Sequence, residues 1–201
     1  MITLAVEDTL SETVTTRLVN DYLPGVWVRE VIGRQGIGYI RRRMRDLNQI
    51  ALYENPVLVV ADLDRPQDCA ANRVFRLSNG LTSAAPNLLI RIAVLEIESW
   101  IMADLEGIAG WLRIAANTLP RNPESLDDPK RALVQLASRS RNRMLREAVG
   151  PSRVLGTNRT GPNYNEAVGD FVTQLWNPEV ARRNSHSLDR AIARIVELAA
   201  P

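Results

Sequence analysis

Residues 56–64 read PVLVVADLD, and this stretch decides the fold class. Five apolar residues in succession, three of them valine, predict a strand that is buried on both faces. Pro56 marks the start of the strand, and Asp62 and Asp64 mark its end. Continuous apolar strands of this kind are typical of a parallel sheet that is covered by helices on both sides.

The rest of the first half of the chain repeats this pattern. Residues 2–6, 26–32 and 88–95 read as further strands. Helical spacing of apolar residues predicts helices between them, from an N-cap at Ser11 to Pro24, around residues 40–51, over 67–77, and from 96–98 to about 114. Four alternations of strand and helix predict an α/β fold, a three-layer Rossmann-like parallel sheet flanked by helices.

The pattern changes after about residue 119. Helical spacing predicts helices over 130–138, 140–149, 163–176 and 187–199, with a loop over 150–162. We therefore expect an α/β domain over residues 1–118 and a helical C-terminal extension over 119–201 that packs against it. No apolar run approaches the roughly 20 residues of a membrane span, and the N-terminus has no signal-peptide pattern. A single cysteine fits a reducing compartment, so we expect a cytoplasmic protein without a membrane partner.

Composition restricts the chemistry that the chain can perform. The 201 residues include 25 basic and 23 acidic side chains, and a net charge of +2 does not by itself mark a nucleic-acid binder. The only lysine, cysteine and histidine are Lys130, Cys69 and His186. We expect Cys69 to be a buried apolar residue and His186 to cap or pack a helix. An enzyme of this composition would have to work with carboxylates.

Acidic residues follow three of the four predicted strands. Glu7 follows the first, Asp62 and Asp64 follow the third, and Glu96 and Glu98 follow the fourth. Because the carboxyl ends of parallel strands meet at one edge of a sheet, these side chains are expected to converge. Carboxylates held close together either protonate or bind a cation, and Mg²⁺ prefers oxygen ligands. The sequence therefore predicts a Mg²⁺ or Mn²⁺ site, although each acid taken alone fits a loop residue or a helix cap equally well.

The same stretches resemble a known family. VEDTLSE at residues 6–12 and VVADLD at 59–64 are similar to the two acidic motifs of Toprim domains. IAVLEIESWIMAD at 92–104 resembles the E-x-E-x-W-x-x-A-D segment of a family of small Toprim-like proteins related to the OLD-type nucleases. GPNYN at 161–165 and SHSL at 185–188 resemble the tail of that family, so the resemblance extends over nearly the whole chain.

The resemblance implies a metal-dependent nuclease or phosphodiesterase that acts on nucleic acid. By position, Glu7 would be a general acid/base or a metal ligand, and Asp62 and Asp64 would bind the cation. Further acids that would serve a second metal ion are Glu12, Glu96 and Glu98. The resemblance also implies an ATPase partner in defence against phage or plasmid DNA.

Other interpretations of the sequence stay open. Asp8 stands where many Toprim sequences have glycine, and no lysine lies near the acidic motifs, which favours a catalytically silent subunit that binds a partner protein. A phosphatase with an aspartyl nucleophile in the D-x-D motif is less favoured, because Arg65 and Pro66 follow it. Arginine clusters at 41–45 and 139–146 fit either solvated helix faces or phosphate contacts. Tyr164 either packs the tail or borders the acidic site.

Overall fold

A computed structural model of the chain describes residues 1–63, 65, 67–152 and 160–198. Four strands form one sheet, and every neighbouring pair is parallel. The strands are β1 (Ile2–Val6), β2 (Val28–Gly33), β3 (Val57–Asp62) and β4 (Leu88–Ala93). The prediction of an α/β fold with a parallel sheet flanked by helices is confirmed.

The strand order is β2-β1-β3-β4, which the sequence pattern did not predict. β1 pairs with β2 on one side and with β3 on the other, so Val6 lies opposite both Gly33 and Val60. The chain therefore leaves β1 in one direction, to form β2, and returns to the opposite side to form β3. This reversal makes the boundary between β1 and β3 a topological switch point, where ligands bind in open α/β sheets.

The described residues form ten α-helices. Those between the strands are α1 (Thr9–Tyr22), α2 (Ile37–Tyr53) and α3 (Ala70–Ser78). After β4 come α4 (Ile97–Met102), α5 (Leu105–Leu112), α6 (Pro129–Ser138), α7 (Arg143–Ala148), α8 (Tyr164–Gln174), α9 (Pro178–Ala181) and α10 (His186–Glu197). Two short 3₁₀ helices, Ala116–Thr118 and Pro123–Ser125, lie between α5 and α6.

Burial explains why β1 and β3 are apolar along their length. All five residues of β1 are buried, as are the first five of β3, so both faces of these strands are covered. Alternate residues such as Ala5, Val57 and Val59 pack in one cluster with apolar side chains of α2 and α3. Val14 and Leu18 of α1 are also fully buried but lie outside that cluster.

Three local predictions were wrong for identifiable reasons. Asp8, not Ser11, caps α1, because its carboxylate accepts a hydrogen bond from the Ser11 backbone N–H at 2.8 Å. The helix expected up to residue 114 is divided into α4 and α5, because Asp104 caps a new helix at that point. Cys69 is exposed and stands at the N-cap of α3 rather than in the core.

The internal contacts divide the chain into two units. The first, the sheet unit, is Met1–Ile97 together with the chain from Ser187 onward, and the second, the helical unit, is Glu98–His186. The expected boundary after residue 118 lies inside the helical unit. Residues 153–159 of the expected loop over 150–162 lie outside the described residues. Among the described helices, none combines the length and the apolar character that crossing a membrane requires.

Candidate functional site

Glu7 and Asp62 lie together at the carboxyl edge of the sheet. Glu7 directly follows β1, Asp62 is the last residue of β3, and Glu7 Oε1 accepts a hydrogen bond from the Asp62 backbone N–H at 2.8 Å. The contact forms because β1 and β3 are neighbours with Val6 opposite Val60, so the glutamate side chain reaches the adjacent strand. Both residues are half-buried. The side chain of Glu7 therefore contacts the backbone of Asp62 at the switch point of the sheet.

The glycine-rich turn after β2 holds the backbone of Glu7. Gly33 has a φ of 132°, and a Cβ at this position would lie 2.0 Å from the carbonyl oxygen of Val6, so only glycine fits. The Arg34 N–H donates to Val6 O at 3.0 Å, and the Gly36 N–H donates to Glu7 O at 2.9 Å. The turn thus continues the β1–β2 pairing around the residue that carries the acid.

Asp8 and Glu12 have partners of their own beside this edge. Asp8 is the N-cap of α1, so its side chain stabilises the helix that follows. Glu12 forms an ion pair with Arg34, in which Arg34 Nη2 donates to Glu12 Oε1 at 2.7 Å and Arg34 Nε donates to the other oxygen. These hydrogen bonds and the charge of Glu12 raise the pKa of the Arg34 guanidinium. Both oxygens of Glu12 are therefore engaged by a cation of the chain itself.

Glu96 follows β4 after a tight, strained turn. Leu95 is buried and has a φ of 66°, a left-handed conformation that is rare for a residue of this size. The Glu96 N–H donates to Val94 O at 3.1 Å, and the Val94 N–H contacts Ser187 Oγ at 3.4 Å. Since β4 neighbours β3, with Ala93 opposite Asp62, Glu96 follows the strand next to Asp62.

Glu98 belongs to a cluster in the helical unit. Its side chain is only 4% exposed, and Glu98 Oε1 accepts a hydrogen bond from the Tyr164 hydroxyl at 3.0 Å. Lys130 Nζ lies 3.3 Å from the same oxygen and 5.1 Å from the centre of the Tyr164 ring. The only lysine of the chain thus neutralises a buried carboxylate, and Tyr164 contacts that carboxylate within the helical unit.

Most of the stretch that resembles the small Toprim-like family has structural roles in the helical unit. Trp100 and Ala103 are fully buried. Asp104 is buried and accepts hydrogen bonds from the backbone N–H groups of Gly107 at 3.0 Å and Asn177 at 2.8 Å. It therefore caps α5 and fixes the connection that precedes α9. Its tight fit also explains the glycine, since a Cβ at Gly107 would lie 2.2 Å from Asp104 Oδ2.

The tail motif at residues 185–188 also has a structural role. Ser185 Oγ donates to Glu124 Oε1 at 2.7 Å, and the His186 backbone N–H donates to Glu124 Oε2 at 3.2 Å. His186 is exposed and is the first residue of α10. This agrees with the expectation that the histidine serves at a helix start, with its backbone rather than its ring making the contact.

The predicted metal-binding acids thus divide into groups. Glu7 and Asp62 are in contact, Glu12 and Glu98 are each paired with a basic side chain, and Asp64 lies outside the described residues. Within the described part of the chain, no three acidic, histidine or cysteine side chains are arranged to hold a metal ion. Of the predicted set, the structure brings Glu7 and Asp62 into contact at the carboxyl edge of the sheet.

Sequence reasoning missed the partners that neutralise the two other acids. Lys130 is 32 residues from Glu98, and Arg34 is 22 residues from Glu12, so no local pattern connects them. The one available signal was that the single lysine stands in the first turn of a helix, after Pro129.

Comparison of the chain with family models, with curated proteins and with solved structures finds no match.

Proposed function

We propose that the protein is a Mg²⁺- or Mn²⁺-dependent nuclease or related phosphodiesterase with a Toprim-like sheet unit. The observation that carries the proposal is the hydrogen bond from the Asp62 N–H to Glu7 Oε1, which holds the Glu7 carboxylate against the backbone of Asp62 at the switch point. That edge is where open α/β sheets bind their ligands. The acidic motifs that resemble those of Toprim domains supply the reaction class.

The donor atoms of this edge suit a hard divalent cation. Carboxylate oxygens of Glu7 and Asp62 are the ligand type that Mg²⁺ and Mn²⁺ prefer, and Asp64 completes the D-x-D motif in sequence. When bound, such an ion would stabilise negative charge on the phosphate oxygens. Glu96 is the remaining acid for which the proposal keeps a ligand role. Glu12 and Glu98 are poorer ligands, because Arg34 and Lys130 already balance their charges.

Glu7 would manage protons in the reaction. In hydrolysis a water oxygen bonds to phosphorus as the bond from phosphorus to one sugar oxygen breaks. The water loses a proton and the leaving oxygen gains one, which yields a phosphomonoester and a hydroxyl. Glu7 would accept or donate one of these protons as general base or acid. Its hydrogen bond to the Asp62 N–H and the bond from the Gly36 N–H to Glu7 O fix its position for that role.

The resemblance also suggests a setting for this activity. We propose that the substrate is nucleic acid and that the protein works in the cytoplasm beside an ATPase partner, in defence against phage or plasmid DNA. This part of the proposal depends on the motifs at residues 92–104, 161–165 and 185–188.

A second candidate function is that of a catalytically silent subunit that binds a partner protein. The observation that favours it is the pairing of two acids of the predicted set, Glu12 with Arg34 and Glu98 with Lys130. Ion pairs of this kind are what a structural acid forms. Under this alternative the Glu7–Asp62 pair would bind no metal ion.

The proposal is tested by cleavage of supercoiled plasmid in the presence of Mn²⁺, with and without a candidate ATPase partner. We expect Glu7→Gln and Asp62→Asn to lower the rate by at least about 100-fold. Asp21→Asn is the matched control, since Asp21 is an exposed acid at the end of α1 whose partner is Arg17 at 2.7 Å. Absence of cleavage by the wild-type protein under both conditions, or cleavage that survives in Asp62→Asn, would refute the proposal.

A further inference from the structure

The exposed side of α2 carries three arginines without an acidic partner. Arg41, Arg42 and Arg45 are exposed, and none of them forms an ion pair with a described residue. Arg43 differs, because its Nε pairs with Asp46 Oδ2 at 2.7 Å. We call Arg41, Arg42 and Arg45 the basic face of α2.

The three charges are held close together on a fixed helix. Residues three and four apart on a helix are neighbours, so Arg45 lies beside both Arg41 and Arg42. Like charges at this spacing weaken a helix. The opposite side of α2 is buried in the core through Ile40 and Leu47, so the three arginines are held on the exposed side of the helix. A polyanion from outside the chain would supply the missing negative charge.

Arg42 is oriented along the first turn of α2. Its guanidinium carbon lies 5.9 Å from the centre of the Tyr39 ring, a cation–π contact that restricts its rotamers. A Cβ at Gly38 would lie 3.7 Å from Arg42 Nη1, so the side chain extends back toward the start of the helix. The charge of Arg42 is therefore directed toward the end of α2 that is nearer the carboxyl edge of the sheet.

The basic face is continuous with the candidate site. α2 begins at Ile37, directly after the turn in which the Gly36 N–H donates to Glu7 O at 2.9 Å. Arg41 stands about one helical turn from that start, and Arg45 about one turn, or 6 Å, further along the axis. The partial positive charge at the N-terminus of the helix adds to the same field. A phosphate backbone that lies along α2 would thus lead to Glu7.

We propose that the basic face of α2 binds the phosphodiester backbone of a nucleic acid and directs it to the Glu7–Asp62 edge. The second half of this statement rests on the proposed function, whereas binding itself requires neither metal nor cleavage. The three side chains are arginines, whose guanidinium groups bind phosphate oxygens, so we assign the face to the phosphate backbone rather than to the bases. Binding is therefore independent of base sequence and weakens as salt concentration rises.

The test is fluorescence anisotropy with labelled duplex DNA, single-stranded DNA and duplex RNA, in metal-free buffer with a chelator. The variant is the triple substitution of Arg41, Arg42 and Arg45 by glutamine, which keeps helix propensity. The matched control replaces Arg121, Arg131 and Arg183, three exposed arginines of the helical unit that lie outside both arginine clusters, so that the net charge changes equally. Thermal melting checks that both variants are folded.

We expect the α2 variant to bind nucleic acid at least about 10-fold more weakly than the wild-type protein. The magnitude of the slope of log K against log salt should fall by about 2–3, because each lost arginine–phosphate contact lowers it by about one. The control should bind like the wild-type protein, and lysine at all three α2 positions should restore binding. The nucleic acid that binds most tightly identifies the substrate class. No wild-type binding to any probe, or equal weakening in variant and control, overturns the proposal, as does tighter binding to vesicles of phosphatidylserine and phosphatidylcholine.

The outcomes separate this inference from the proposed function. If the α2 variant loses nucleic acid binding but the wild-type protein cleaves nothing, the binding role of the basic face is supported and the nuclease proposal is refuted. If the α2 variant still cleaves plasmid at the wild-type rate in Mn²⁺, the basic face fails and the nuclease proposal stands.

Discussion

The carboxylate of Glu7 and the backbone nitrogen of Asp62 lie 2.8 Å apart, and they join the ends of two adjacent parallel strands. The Glu7 carboxylate, just after β1, thereby accepts a hydrogen bond from the backbone N–H at the end of β3. The two strands are neighbours in the sheet, although the two residues are 55 positions apart in sequence. This contact sets the position of one acid by the backbone of the other. Substitutions at Glu7 can therefore remove the hydrogen bond and the negative charge separately.

The first prediction separates those two properties at Glu7. Glu7→Ala removes the acceptor of the Asp62 N–H and should lower the free energy of unfolding by about 1–2 kcal/mol. Glu7→Gln keeps an oxygen acceptor and removes the charge, so its stability should stay within about 0.5 kcal/mol of the wild type. Urea unfolding measures both. Equal destabilisation by alanine and glutamine would show that the hydrogen bond does not hold this edge.

The second prediction concerns the close approach of β2 to β1. Gly33→Ala places a Cβ against the carbonyl oxygen of Val6 and should lower the free energy of unfolding by about 2–4 kcal/mol. Gly25→Ala is the matched control, because Gly25 also has a positive φ, 81°, but has open space around a Cβ. Gly25→Ala should lower the free energy of unfolding only by the cost of a left-handed backbone at alanine, about 1–2 kcal/mol. Equal losses at the two glycines would contradict the steric role of Gly33.

The third prediction concerns the buried carboxylate of Glu98. Tyr164→Phe removes one donor and should lower the free energy of unfolding by about 1–2 kcal/mol. Lys130→Met leaves the carboxylate without its cation and should lower it by about 3 kcal/mol. Adding Glu98→Gln to Lys130→Met should recover part of that loss, because no charge is then buried alone. Additive losses in this double-mutant cycle would mean that Glu98 and Lys130 do not interact.

Local sequence pattern predicted the strands well because their burial is continuous. Ile2–Val6 was predicted with its observed bounds, and β3 differs from the predicted strand only by the addition of Asp62. Strand order has no local signature, since it depends on which edges pair after the chain has left the strand. The sequence pattern therefore placed Glu7 and Asp62 at the carboxyl edge of the sheet. It could not show that β1 and β3 are neighbours and that Glu7 contacts Asp62.

The ion pairs of Glu12 and Glu98 could not be predicted from local sequence either, because they also depend on how the chain packs in three dimensions. Glu12 and Glu98 each meet a basic side chain that tertiary packing supplies, Arg34 and Lys130. Boundaries that depend on a single cap were also missed. Asp104 followed by Gly107 signals a new helix, but the apolar spacing on both sides continues through it.

Binding of Mn²⁺ to the metal-free protein, measured by titration calorimetry, tests the central claim most directly. The wild-type protein and the Asp21→Asn control should bind Mn²⁺ saturably, and Asp62→Asn and Glu7→Gln should each lose that binding. Asp64→Asn extends the test to the other acid of the D-x-D motif, with the same expected loss. A wild-type protein that binds no Mn²⁺, or an Asp62→Asn variant that binds it unchanged, would contradict a metal-dependent site at this edge and favour the catalytically silent subunit.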